Sequence, residues 1–94
     1  MDKELVEIAH ATLKFYKYEQ NGLTYYEFDA VECTAPEPMV NCMCGLAMLK
    51  NDNDRLVGKF FHEPFPLYQR ISAKFEFKSE ELDNGNFVVI FKCK

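Results

Sequence analysis

Two proline pairs constrain the fold of this chain more than any other feature of its sequence. Pro36-Glu37-Pro38 and Pro64-Phe65-Pro66 each follow an apolar, strand-like run and each precede a helical pattern. Proline suits the first turn of a helix, because its fixed φ matches the helix and its missing N–H would have no partner there. We therefore predict two strand-to-helix corners.

The order of these corners also predicts where a functional site would lie. Right-handed crossovers in consecutive strand–helix units bring both helix N-termini to one edge of the sheet. That edge lies beyond the carboxyl ends of the strands, where open α/β sheets bind their ligands. We expect any function of this chain to be located there.

The composition indicates one globular domain that has little attraction for polyanions. The chain has 94 residues, of which 48% are apolar, enough for a packed core without disulfides or a metal. Its 15 acidic and 11 basic residues give a net charge of -4, which repels phosphate backbones and anionic lipid. We expect no nucleic-acid partner and no membrane partner.

The cellular location and the cysteine chemistry are predicted from two further features. No apolar run approaches the roughly 20 residues that span a bilayer, and the acidic start Met1-Asp2-Lys3-Glu4 does not fit a signal peptide. We expect a cytoplasmic protein with reduced thiols.

The cysteines do not form a predicted metal site. Cys42 and Cys44 point apart on a helix, by about 200°, so we expect no shared metal site, and we expect no cofactor. Cys93 is expected to be a small strand hydrophobe.

The first part of the chain is typical of a hairpin. Leu23 to Phe28 is rich in aromatic residues and predicts a strand that ends near Asp29. Asn21-Gly22 predicts a two-residue turn that pairs this strand with Thr12 to Tyr18. The segment from Lys3 to His10 is left open, because its apolar residues also fall on one face of a short helix.

The middle of the chain predicts two helices around a buried strand. Pro36 to Lys50 has the spacing of an amphipathic helix. Its expected buried stripe is Met39, Cys42, Met43, Leu46 and Leu49. Leu56 to Phe61 predicts a strand in which Gly58 allows a close approach. Pro64 to Ser72 predicts a compact second helix.

Two alternating segments complete the predicted fold. Lys74 to Lys78 and Phe87 to Cys93 predict strands that are joined through a turn at Asn84-Gly85. The order is β-α-β-α-β-β, which gives an α+β two-layer sandwich with a mixed four-stranded sheet and two helices on one face. This domain would span residues 23–94, preceded by an extension, residues 1–22, that is either a hairpin strand or a short helix.

The last predicted strand carries apolar residues on both of its faces. Phe87 and Phe91 are expected in the core, together with Phe75 and Phe77 of the preceding strand. Val88 and Ile90 lie on the other face of the strand. We therefore expect that face to be covered by the amino-terminal segment or by a second copy in a homodimer.

The first corner resembles the signature of the TusA/SirA-like family. Phe28 to Pro38 is similar to the Asp-rich strand end and Cys-Pro-x-Pro that begin the first helix of those proteins. The resemblance covers about residues 23–94 and implies the same β-α-β-α-β-β sandwich. Family members that carry the full motif act as sulfur carriers through a persulfide on the motif cysteine. Here that position is Ala35, so the resemblance implies a chain without the usual nucleophile.

The second corner is more similar to a sister family of unknown function. The segment from His62 to Tyr68 resembles the His-x-Pro-x-Pro-Leu stretch of that family, which keeps Pro-Glu-Pro and often lacks the cysteine. Some of its domains occur beside hemerythrin-like modules. The resemblance thus implies the same sandwich fold and a function that is linked to redox chemistry or to a metal.

Both corners contribute to the predicted binding edge. Its residues are Glu32, Cys33, Ala35, Pro36, Glu37, Pro38, His62, Glu63, Pro64 and Pro66. A thiol at Cys33 is the one remaining candidate nucleophile near the first helix, whose N-terminus would stabilise a thiolate. One hypothesis is that Cys33, Glu32, Glu63 and His62 converge at this edge, where a histidine and a thiol with a carboxylate would permit metal binding or thiol activation. In the alternative, His62 hydrogen-bonds a loop carbonyl and Glu63 caps the second helix through its dipole.

Three functions remain open from the sequence. The first is a noncatalytic module that binds a protein or a small ligand at this edge, and we expect a protein partner. The second is a sulfur-transfer protein in which Cys33 carries the persulfide. The third is a metal- or redox-linked accessory domain with His62 as a ligand. Because Ala35 replaces the motif cysteine, we do not expect an enzyme.

Overall fold

The structure is a computed structural model and describes residues 2–94. Its strands and helices, in chain order, are β1 (Glu4–Val6), β2 (Phe15–Gln20), β3 (Leu23–Asp29), α1 (Glu37–Leu46), β4 (Asp54–Phe60), α2 (Phe65–Ile71), β5 (Phe75–Glu81) and β6 (Phe87–Cys93). The strands form one mixed sheet in the order β1-β2-β3-β4-β6-β5. Only the pairing of β3 with β4 is parallel.

Both helices pack on the same face of this sheet. Alternate strand residues such as Phe28, Leu56 and Phe91 point into one buried cluster. The same cluster contains Leu46 of α1 and Leu67 of α2. The predicted α+β two-layer sandwich is therefore confirmed, and β3 to β6 have the predicted element order. The sheet has six strands instead of four because the amino-terminal extension adds β1 and β2.

Of the two expectations for the extension, the strand hairpin is correct and the short helix is wrong. β1 pairs antiparallel with β2, with Val6 opposite Phe15. Leu5 is 60% exposed, so the expected apolar helical face is not buried as a unit. The turn between β2 and β3 lies at Asn21-Gly22, and both residues have positive φ, as a two-residue hairpin requires.

The expected stripe of α1 is partly wrong. The helix ends at Leu46 rather than at Lys50, and Met43 is 43% exposed. The buried residues of the helix are Asn41, Cys42, Gly45 and Leu46. At Gly45 a Cβ atom would lie 2.7 Å from Leu56 Cδ1. The face of α1 that packs on the sheet therefore carries Gly45 rather than Met43, because the helix backbone lies close to the sheet there and leaves no space for a side chain.

The expectation for Gly58 in β4 is confirmed. A Cβ atom at this position would lie 2.8 Å from Phe60 Cε2 and 3.0 Å from Phe28 Cε1. The rings of Phe28 and Phe60 meet edge to face with their centroids 5.7 Å apart. Glycine leaves the space that these two rings occupy at the end of the parallel strand pair.

The expectation that all four carboxyl-terminal phenylalanines lie in the core is wrong for two of them. Phe91 is fully buried and Phe75 packs against the core, but Phe87 is half-buried outside the core cluster and Phe77 is 37% exposed. For Phe77 the reason is that β5 is an edge strand, so this residue has a neighbouring strand on one side only. Its ring stacks on Tyr68 of α2 with a centroid distance of 3.9 Å.

The face of the sheet away from the helices, called here the open face, is not covered by the amino-terminal segment. Strands β1 and β2 lie in the plane of the sheet beside β3, so that part of the expectation is wrong. Ile90 on this face is 41% exposed. The alternative, that a second copy of the chain covers the open face in a homodimer, stays a prediction.

Candidate functional site

The first corner is a tight loop that joins β3 to α1. The Asp29 carboxylate accepts a hydrogen bond from the Val31 N–H at 2.9 Å, and the Ala30 carbonyl accepts one from the Cys33 N–H at 3.1 Å. These two bonds turn the chain immediately after the strand. α1 then begins at Glu37, with proline at its second position.

The second corner joins β4 to α2 in a similar way. Phe60 ends the strand, and the Pro64 carbonyl accepts hydrogen bonds from the Leu67 and Tyr68 N–H groups at 3.0 and 3.3 Å. α2 begins at Phe65, again with proline at its second position. Because β3 and β4 are parallel neighbours, both corners lie at the same edge of the sheet.

Between the corners lies a groove of about 610 Å³ with a mainly apolar lining. We call it the corner groove. Its lining residues are Ala30, Cys33, Thr34, Ala35, Pro36, Pro38, Met39, Phe60, Phe61, His62, Glu63, Pro64, Pro66 and Leu67. The structure thus brings the two proline corners together around one concave surface.

Most of the residues predicted for the binding edge line this groove. The exceptions are Glu32, which is exposed in the loop, and Glu37, which is half-buried in the first turn of α1. The sequence prediction missed Phe60 and Phe61, Ala30, Thr34, Met39 and Leu67. Their positions at strand ends and in the first helical turns could have identified them, since those positions face the same edge.

The thiol of Cys33 lines the groove in an environment that disfavours its ionised form. Burial raises the pKa of Cys33, and the negative charges of Glu37, Asp29 and Glu32 raise it further. A helix N-terminus that acted on this thiol would lower its pKa. Burial and the carboxylates around the loop thus both disfavour the thiolate at this position.

His62 lies on the groove without a cluster of metal ligands around it. Its side chain is exposed, and the ring of Phe61 contacts it with a centroid distance of 4.5 Å. Within residues 2–94, no three His, Cys, Asp or Glu side chains come together in a way that could hold a metal ion. The expected convergence of Cys33, Glu32, Glu63 and His62 does not form such a cluster.

We compared the chain with protein-family models, curated proteins and solved structures. None of them matches it. Of the helices in residues 2–94, neither has the length and apolar character needed to cross a membrane.

A buried amide that the sequence analysis missed fixes the first corner. Asn41 of α1 is fully buried, and its Oδ1 accepts hydrogen bonds from the Thr12 and Leu13 N–H groups at 2.9 and 3.0 Å. Its Nδ2 donates to Thr12 Oγ1 at 2.8 Å and to the Glu37 carbonyl at 2.9 Å. The Thr12 hydroxyl in turn donates to Glu37 Oε2 at 2.7 Å. This network ties the loop before β2 to the beginning of α1.

A carboxylate performs a similar role at the second corner. Glu63 Oε2 accepts hydrogen bonds from the Tyr68 hydroxyl at 3.0 Å and from Ser79 Oγ at 2.6 Å. Glu63 is half-buried, whereas Tyr68 is almost fully buried beneath it. The corner is thereby linked to α2 and to the edge strand β5. This role differs from the helix capping considered for Glu63 from the sequence.

Proposed function

We propose that this chain is a noncatalytic, TusA-like module that binds an apolar ligand in the corner groove. The observation that carries the proposal is the meeting of both proline corners around one apolar concavity. Ligand-binding clefts commonly have volumes of about 300–1,000 Å³ and apolar linings with few polar groups. The volume and lining of the corner groove fall within that description.

The chemistry of the first corner supports binding rather than catalysis. Ala35 stands immediately before the proline that precedes α1, where the resemblance implies a sulfur-bearing cysteine. The one thiol in the groove, Cys33, has a raised pKa and so exists mainly as the neutral thiol at neutral pH. A neutral thiol is a poor nucleophile, but it contributes to an apolar lining.

We also propose a cytoplasmic location for this module. All four cysteines are unpaired, and Cys42 is deeply buried in α1. Unpaired thiols are usual in a reducing compartment and uncommon in secreted domains. Fractionation of cells that express the untagged chain tests this proposal.

An introduced tryptophan tests whether the groove accepts an apolar group. The chain contains no tryptophan, so each new indole ring is a unique reporter. Ala35 and Ala73 are both exposed, but only Ala35 lines the groove. We expect Ala35→Trp to fluoresce at shorter wavelength than Ala73→Trp, because its ring can enter the groove.

The same pair of variants tests competition for the groove. We expect the neutral apolar dye Nile red to bind wild type and Ala73→Trp, and to bind Ala35→Trp more weakly. Circular dichroism establishes that both variants are folded. Equal emission and equal dye binding in the two variants would contradict the proposal.

A second candidate function is sulfur transfer through Cys33. The observation in its favour is that Cys33 lines the groove within the loop that leads into α1. In such a step, the Cys33 thiolate would attack the outer sulfur of a persulfide on a cysteine desulfurase. The S–S bond of that persulfide would break, the desulfurase cysteine would leave as a thiolate, and Cys33 would carry the new persulfide. Incubation with a desulfurase and free cysteine, followed by intact-mass measurement, tests for the added sulfur.

Variants of two half-buried cysteines make that measurement specific. Cys33→Ser should abolish the added mass, whereas Cys93→Ser should retain it, if Cys33 is the carrier. The noncatalytic proposal expects no added sulfur in wild type or in either variant. A persulfide that is lost only in Cys33→Ser would overturn the noncatalytic proposal and establish the second candidate.

A further inference from the structure

We propose that the occupant of the corner groove is an apolar peptide segment of a partner protein that carries lysine or arginine beside its apolar anchor. The proposal rests on the proposed function of the groove and adds the identity of the ligand class. Three features of the structure support it: the exposed aromatic rings at the groove, the charge of its rim, and the lack of ion pairs on the carboxylates of that rim within residues 2–94.

Exposed aromatic side chains extend the apolar surface beyond the groove itself. Phe61 lines the groove and is 56% exposed, and Phe65, between two lining prolines, is 62% exposed. Such rings are unusual on a surface that faces only water, and they are enriched where proteins bind one another. An extended segment can cover both rings, whereas a small molecule confined to the groove would leave Phe65, which is not among the lining residues, in water.

The rim of the groove is acidic. Glu63 is among the lining residues, and the charges of Glu37, Asp29 and Glu32 all act on the Cys33 thiol at the opposite corner. No lysine or arginine is among the lining residues that the structure describes. A basic segment would therefore meet complementary charge at both ends of the groove.

The hydrogen-bond partners of the rim carboxylates Glu37 and Glu63 are neutral hydroxyl groups rather than cations. Glu37 accepts a hydrogen bond from the Thr12 hydroxyl, and Glu63 accepts hydrogen bonds from the hydroxyls of Tyr68 and Ser79. The ion pairs formed within residues 2–94 join Lys3 to Glu27 and Lys92 to Glu76, both on the open face. Arg70 contacts Met39, a lining residue of the groove, but its Nη1 donates to Met39 Sδ at 3.3 Å and not to a carboxylate of the rim. Within residues 2–94, these carboxylates therefore form no ion pair that would compete with a basic partner.

Two matched peptides test this proposal. One has the sequence Gly-Lys-Leu-Phe-Leu-Lys-Gly and the other has glutamate in place of both lysines, each with acetylated and amidated ends. We expect the basic peptide to bind about tenfold more tightly at low salt, since each of its two lysines can form a surface ion pair with a carboxylate of the rim. The difference should shrink at high salt, because exposed charges are screened.

Charge reversal at the rim provides the matched variants. Glu32→Lys changes an exposed carboxylate beside the groove, and Glu80→Lys makes the same change at an exposed residue of β5 on the open face. We expect Glu32→Lys to weaken binding of the basic peptide about fivefold and Glu80→Lys to leave it unchanged. Backbone amide shifts in NMR spectra should locate the bound peptide between the two corners.

The outcomes separate this proposal from the function on which it rests. Equal binding of both peptides in the groove would overturn the basic partner and leave the apolar binding site standing. Binding of the basic peptide to the open face would also overturn it. Failure of both peptides together with failure of Nile red would overturn the proposed function itself.

Discussion

The two corners share a sequence motif but are held in place by different chemistry. At the first corner, α1 is tied to the amino-terminal loop through the fully buried amide of Asn41. At the second, the shorter α2 is tied to β5 through the half-buried carboxylate of Glu63. Buried hydrogen bonds are costly to lose and exposed ones are cheap. We therefore expect the first corner to be rigid and the second corner to be more flexible.

The largest expected effect comes from removing the amide of the first corner. Asn41→Ala leaves the Thr12 and Leu13 N–H groups without the acceptor that they share, and it removes the amide that donates to Thr12 Oγ1. We expect the free energy of unfolding to fall by about 3 kcal/mol, as measured by urea denaturation.

The control is Asn51→Ala, because Asn51 Oδ1 also accepts a backbone hydrogen bond but lies in an exposed turn. A change of about 0.5 kcal/mol or less is expected there. Similar losses in the two variants would show that burial does not distinguish the first corner.

A smaller effect is expected at the second corner. Tyr68→Phe removes the hydroxyl that donates to Glu63 and keeps the ring that stacks on Phe77. We expect a loss of about 1 kcal/mol. In a double-mutant cycle with Glu63→Gln, the two losses should not add. Strict additivity would mean that the hydrogen bond contributes nothing to this corner.

In the wild-type chain, alkaline pH should lower the free energy of unfolding through its effect on the second corner. Burial raises the pKa of Tyr68 above its usual range, and the hydrogen bond to Glu63 raises it further. The folded state therefore holds the phenolic proton more tightly than the unfolded state. The resulting stability is complete below pH 10, the ordinary tyrosine pKa, and is lost as pH rises above it.

The readout is the unfolding free energy between pH 8 and about pH 11. Tyr18 contributes in the same direction, because burial and Glu27 raise its pKa to about 12. We expect a smaller decline in Tyr68→Phe and the smallest decline in the double variant with Tyr18→Phe. An unchanged decline in both variants would exclude these phenols as its cause.

The smallest expected effect concerns the thiol of the first corner. Because burial and nearby carboxylates raise the pKa of Cys33, iodoacetamide should alkylate it more slowly than N-acetylcysteine at pH 7.5. Glu32→Gln should increase the rate, since it removes one of those charges. Mass spectrometry of digested protein gives the rate at this site. Faster alkylation than that of the free thiol would favour the sulfur-transfer function.

The sequence predicted the corners well because their signals are local. A proline in the first helical turn and an Asn-Gly turn depend on a few backbone angles, and the structure has both. The common edge then followed from the handedness of crossovers. The apolar residues at the strand ends could also have been assigned to the groove by the same reasoning.

The features that were missed depend on which residues meet across the fold. Asn41 was not expected to be buried, because a polar residue in a helix is usually exposed and its partners, Thr12 and Leu13, lie far away in sequence. Met43 and Phe77 are exposed because of the rotation of α1 and the edge position of β5. Periodicity alone does not determine either.

The central claim is that the two corners form one apolar binding site. Titration of isotope-labelled protein with Nile red, followed by amide chemical shifts, tests it most directly. We expect amides of residues 33–39 and 61–67 to shift together along a single binding curve, while those of the open face stay unchanged. Shifts confined to one corner, or located on the open face, would contradict the claim.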